Sequence, residues 1–87
     1  MRVELFGIAR LRAGTGLVEL DLGACDLDSA VRALAAACPT LVPDVIADGR
    51  LSDSYVANLN GQAFLSDGAT PIAKDDTLLI LAAHAGG

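Results

Sequence analysis

Thr77-Leu78-Leu79-Ile80-Leu81-Ala82-Ala83 is an unbroken apolar run, and His84-Ala85-Gly86-Gly87 follows it. Bounded upstream by the polar turn Lys74-Asp75-Asp76, the run has the length of a strand rather than a helix. A strand with its core on one side and water on the other alternates apolar with polar residues. This strand does not, because Leu78, Ile80 and Ala82 face one way and Leu79, Leu81 and Ala83 the other. Both faces must therefore be covered, one by the protein's own core and the other by a folded-over loop or a partner protein. A docked partner is the reading preferred here.

Outward from that run, Val3-Glu4-Leu5-Phe6-Gly7-Ile8-Ala9 reads as a first strand, with Phe6 and Ile8 opposing Val3 and Leu5. Arg10 to Gly16 reads as a turn-rich loop, and Leu17 to Leu22 as the returning strand of a hairpin. Asp26 precedes Leu27, Ala30, Val31, Leu34 and Cys38, which recur at the spacing of one helical face. Its carboxylate suits a helix N-terminus, and Pro39 stops the helix. Thr40 to Ser54 reads as a connection with a brief helical turn around Asp44 to Ala47. Tyr55 to Gly61 alternates again and ends in Asn60-Gly61, a tight-turn dipeptide, with Gln62-Ala63-Phe64 returning and Ser66 to Pro71 as loop.

The order is strand, strand, helix, strand, short strand, strand. It defines an α+β fold, a mixed sheet of four to five strands crossed by one main helix, with the first and last strands parallel in its middle. Residues 1–83 form the single domain that 87 residues allow, and 84–87 form a tail. The face expected to dock a partner carries Phe6, Ile8, Leu78 and Ile80, with Arg10 beside it.

Composition narrows the function. The chain is 53 % hydrophobic and 20 % charged, which excludes disorder, and its net charge of −5 gives no attraction for a phosphate backbone. No apolar run approaches the roughly 20 residues of a membrane span, and no basic-then-apolar leader opens the chain, so a cytoplasmic protein is expected. Cys25 and Cys38 bracket the expected helix and would stand about 20 Å apart, too far for a disulfide. Two thiols and one histidine also fall short of a zinc site, so no metal is expected.

The chemical content lies in the tail. A carboxylate on Gly86-Gly87 can enter a narrow tunnel that a branched residue would block. Adenylation by a separate ATP-dependent enzyme makes that carboxyl reactive. A sulfur nucleophile then leaves a thiocarboxylate, and an amine leaves an amide. Gly87 is the reacting residue and Gly86, Ala85 and His84 thread the tunnel. The chain would be a carrier and not an enzyme.

Leu5-Phe6-Gly7-Ile8-Ala9-Arg10 closed by Gly14, Asp26-Leu27, Asn60-Gly61, Thr70-Pro71-Ile72 and the terminal Gly86-Gly87 together resemble the MoaD/ThiS family of ubiquitin-like sulfur carriers along the whole chain. The resemblance implies a β-grasp fold, activation of Gly87 by an enzyme using ATP and Mg, and storage of sulfur as a thiocarboxylate. No cofactor bound by the chain itself is implied. In the molybdopterin synthase branch, the expected one, the small subunit inserts its tail into the large subunit for molybdenum cofactor biosynthesis. Two departures stand out, Lys74-Asp75-Asp76 where the family favours aspartate-glycine-aspartate, and Ala82-Ala83-His84-Ala85 where molybdopterin-type members often carry prolines. The alternatives are carriers for thiamine thiazole, cysteine or tRNA thiolation, a protein modifier, and a binding module that uses only the apolar sheet face.

Overall fold

Arg2-Val3-Glu4-Leu5 alternates charged with aliphatic residues and forms strand β1 (Arg2–Leu5), with Val3 and Leu5 buried and Arg2 exposed. The structure, a computed structural model, describes residues 1–83. At Gly7 the chain adopts φ +58°, a left-handed conformation that glycine enters without a Cβ penalty. That corner turns the chain into helix α1 (Gly7–Ala13), which ends at Gly14, also left-handed, whose N–H donates to the Arg10 carbonyl. The strand expected over Val3 to Ala9 is therefore cut at Leu5, and the loop expected from Arg10 is half helix. Ala9 and Ala13 stand four residues apart on one side of the helix, Ala9 fully buried and Ala13 packed against the core.

Strand β2 (Leu17–Glu19) returns antiparallel to β1. After β3 (Cys25–Asp26) comes the main helix α2 (Leu27–Ala37), as the apolar spacing predicts. The Asp26 carboxylate accepts the Ser29 N–H at 2.8 Å, and the Thr70 and Gly68 carbonyls accept the N–H groups of Leu27 and Asp28. The free donors of the first turn are thus satisfied. Leu27, Ala30, Val31 and Leu34 form the buried stripe, and Pro39 opens a short 3-10 turn (Pro39–Leu41).

In place of the helical turn expected near Asp44 to Ala47, β4 (Ile46–Ala47) and β5 (Arg50–Leu51) form a small ribbon. Asp48 and Gly49, both left-handed, make its turn. Strands β6 (Tyr55–Leu59) and β7 (Ala63–Leu65) form the expected hairpin, with Asn60 at φ +57° and Gly61 at φ +72°. Strand β8 (Pro71–Ile72) pairs with β3, and β9 (Thr77–Ala82) completes the fold.

The five-stranded sheet runs β2-β1-β9-β6-β7, with β9 parallel to β1 and antiparallel to β6. Registers Val3 to Leu78, Leu5 to Ile80 and Ala57 to Ile80 place these side chains on one face, beneath α2. Leu41, Val45, Ile46 and Ile72 close the core, and each fully buried aliphatic side chain is worth about 1.5–3 kcal/mol relative to exposure. Both cysteines are free thiols, pushed up in pKa mainly by burial. Among the described residues no helix is long and apolar enough to cross a membrane, and no group of three or more potential ligands could hold a metal ion.

Candidate functional site

Strand β9 lies in the centre of the sheet, and the described residues end just beyond it at Ala83. The Phe6 N–H donates to the Ile80 carbonyl at 3.2 Å on one side, and the Ala83 N–H donates to the Ser54 carbonyl at 2.8 Å on the other. The end of β9 is thus tied at Ile80 to the start of α1, and Ala83 is tied to the residue preceding β6. His84, Ala85, Gly86 and Gly87, the residues expected to thread and react, lie outside the described residues.

The start of β9 is held as firmly. Asp76 accepts from the Ala73 N–H at 2.8 Å and from the Asn60 side-chain amide N–H at 3.0 Å, while the Asn60 side-chain Oδ1 accepts the Thr77 N–H at 2.8 Å. These bonds hold the Asp76 carboxyl below its ordinary pKa, the Asn60 amide contributing most. The Lys74-Asp75-Asp76 turn thereby locks the register of β9 to the hairpin turn beside it.

The sidedness of β9 is opposite to that expected. Leu78 and Ile80, expected to dock a partner, are 1 % and 0 % exposed and belong to the core. The open face carries Leu79 and Leu81, both half-buried, flanked by Glu4 and Phe6 on the β1 side and by Val56, Asn58 and Phe64 across β6 and β7. Phe64 is 71 % exposed. Phe6 keeps its expected exposure, just beyond the end of β1. Ile8 is exposed too, but on α1 rather than on a strand.

Arg10 lies on α1, with its guanidinium over Gly16; a Cβ there would stand 3.1 Å from Arg10 Cζ. The two ion pairs among the described residues, Arg2–Glu19 and Arg12–Asp44, do not include it. Sequence reasoning missed Asn58, buried on the open face with a side-chain oxygen that no described group hydrogen-bonds. Its place in the alternation was the available signal, since Tyr55, Ala57 and Leu59 claim the core side of β6.

On the core side, a groove of about 780 Å³ runs between α2 and the strands β5 to β7, floored by Val31, Ala57 and Leu65 and edged by Asp28, Asp53 and Asp67. The loop over it approaches so closely that a side chain at Gly68 would meet the Asp28 carboxylate. Among the described residues no cysteine lines the groove, and its hydroxyl groups are those of Ser52, Tyr55 and Ser66.

A mixed sheet in this order, crossed by one long helix and leading its central strand toward a diglycine, defines the β-grasp, ubiquitin-like class. The chain aligns with the crystal structure of SAMP1 from Haloferax volcanii at a TM-score of 0.83 and 30 % identity, over 100 % of this chain and 98 % of that one. A second crystal structure, of H. volcanii small archaeal modifier protein 1, gives 0.78 and 30 % over 92 % of each chain. The solution structure of small archaeal modifier protein 1 from Methanosarcina acetivorans shares the fold, at 0.79 and 24 % identity over 99 % of this chain and 94 % of that one. No protein-family model matches the chain, and no curated protein does. With 30 % identity across nearly the whole of both chains, the protein belongs to the family of ubiquitin-like small archaeal modifier proteins. The relatives at 30 % identity are named as small archaeal modifier proteins.

Proposed function

We propose that the protein is a carrier whose Gly87 carboxylate is activated by a separate ATP-dependent enzyme. The carboxylate oxygen attacks the α-phosphorus of ATP, which the enzyme holds with Mg, and pyrophosphate departs. The acyl adenylate then loses AMP to a sulfur nucleophile, giving a thiocarboxylate at Gly87. The part of this chain is positional: β9 fixes the tail root at Ala83, His84 and Ala85 thread toward the enzyme's chamber, and Gly86-Gly87 gives the carboxylate an approach free of side chains. The observation that carries the reading is the central position of β9, held on both sides, directly ahead of Gly86-Gly87. Sulfur donation as the small subunit of molybdopterin synthase is the finer form of the proposal. It rests on the resemblance of the sequence motifs, and the large subunit would be the sulfur acceptor.

The modifier names of the relatives at 30 % identity favour a second fate for the same activated carboxyl. There the amine of a target lysine displaces AMP and an amide forms. Co-expression with the activating enzyme and a sulfur source, followed by intact-mass measurement, distinguishes the fates. One oxygen-for-sulfur replacement confined to the C-terminal peptide marks the carrier. Target lysines bearing residues 75–87 after trypsin mark the modifier, because Lys74 is the last basic cleavage point. Deleting Gly87 or adding one residue after it abolishes both products without altering the fold. Activity retained in either variant refutes the proposal.

A further inference from the structure

We infer that the outer side of α1, made by Ile8 and Leu11 with the neighbouring Val42, is a contact surface for the enzyme that activates Gly87; this rests on the carrier reading above. Ile8 and Leu11 are three residues apart and share one side of the helix. They are 56 % and 79 % exposed. Val42, 47 % exposed, directly follows the 3-10 turn against which α1 packs. The Arg12–Asp44 ion pair at 2.6 Å ties this side of α1 to the segment that carries Val42. Three large aliphatic side chains are thus presented to water around a helix whose buried residue is the small Ala9.

The occupant follows from the reach of the tail. Residues 84–87 extend at most about 14 Å beyond Ala83. A catalytic centre acting on Gly87 therefore lies within that radius, and the body of the enzyme covers the end of the sheet at which Ala83 stands. α1 forms part of that end, since its N-cap residue Phe6 is hydrogen-bonded to Ile80 on β9. The helix itself is only about 10 Å long. Ile8 and Leu11 thus stand within the footprint of any enzyme large enough to bind ATP. The aliphatic character of the patch calls for an apolar surface opposite it. This patch is separate from Leu79 and Leu81, because Ala9 anchors α1 on the core side of the sheet.

The test is ATP–pyrophosphate exchange by the activating enzyme of the same organism, with the full chain carrying Ile8→Glu, Leu11→Glu or both. Thermal melts verify that the exposed substitutions leave the fold intact, and Leu11→Gln replaces any variant that melts early. The double variant is expected to raise KM for the carrier by about tenfold or more with kcat little changed, the signature of lost docking. A photo-crosslinking residue at position 11 is expected to capture the enzyme, whereas one at Ala36, exposed on α2, is not. Wild-type KM in the double variant, or equal capture from both positions, overturns the inference while leaving the carrier reading standing. Absence of exchange with the unaltered chain refutes the carrier reading, and the inference falls with it.

Discussion

Replacing Ile80 by alanine tests which side of β9 is the core. Ile80 is 0 % exposed and sits between Leu5 and Ala57 in the centre of the sheet. The substitution removes about three methylene equivalents, worth ~2.4 kcal/mol at ~0.8 kcal/mol each. The space left behind, about 75 Å³ if nothing relaxes, adds up to ~1.8 kcal/mol. The expected loss is therefore about 2.5–4 kcal/mol, against roughly 4–13 kcal/mol for a domain of this size. Leu81, half-buried on the open face, leaves no sealed cavity when cut to alanine, and its loss is expected near ~1 kcal/mol. Urea unfolding followed by far-UV circular dichroism measures both, with the same m value expected in each variant. In thermal melts the Ile80 variant falls by roughly 10–30 °C, at ~4–8 °C per kcal/mol. A Leu81→Ala loss equal to or greater than that of Ile80→Ala would refute the assignment of faces.

Two further outcomes follow from the turns. Asp26 and Asp76 are both held below the ordinary carboxyl value of 3.8 by hydrogen bonds, from Ser29 to Asp26 and chiefly from Asn60 to Asp76. Their folded forms bind fewer protons than their unfolded forms at mildly acid pH, so the stability they add is complete above about 3.8 and is lost as pH falls through the depressed folded values. The Asp26→Ala, Asp76→Ala double variant is expected to be less stable at neutral pH and to lose less stability on acidification, as read from urea midpoints across that range. Gly61→Val places a β-branched residue at φ +72° and is expected to cost about 1–2 kcal/mol in the same urea assay, whereas Gly23→Ala, in open space without a positive φ, is expected to cost less.

Much of this architecture was legible because independent local signals agreed. Asp26, the Leu27 to Leu34 stripe and Pro39 each mark the same helix, and Asn60-Gly61 marks its hairpin by the left-handed backbone it permits. The faces of β9 were harder, since Leu and Ile on both sides carry no polarity. The missing information lay in β1, where Arg2 and Glu4 mark the wet face and Val3 and Leu5 the dry one; the parallel register then transfers that polarity to Leu79 on one side and to Leu78 and Ile80 on the other. Helix α1 was hidden because Phe6-Gly7-Ile8 continues the apolar character of the strand, and no polar cap announces the change. Gly7 makes the corner through its backbone alone. Of the expected docking residues Phe6, Ile8 and Arg10 remain accessible, whereas Leu78 and Ile80 are interior. Asn58 escaped notice because its burial depends on Phe64 and Leu79, neighbours brought together only when β6, β7 and β9 align.

The two innermost ladders both belong to β9, so the centre of the sheet is made from residues near the end of the sequence. A nascent copy that has not yet reached Thr77 is no partial version of the protein. Its β1 and β6 border a gap, and Val3, Leu5 and Ala57 lack the strand that covers them. The sheet accordingly closes only when β9 pairs with both β1 and β6, a non-local step that joins segments far apart in sequence.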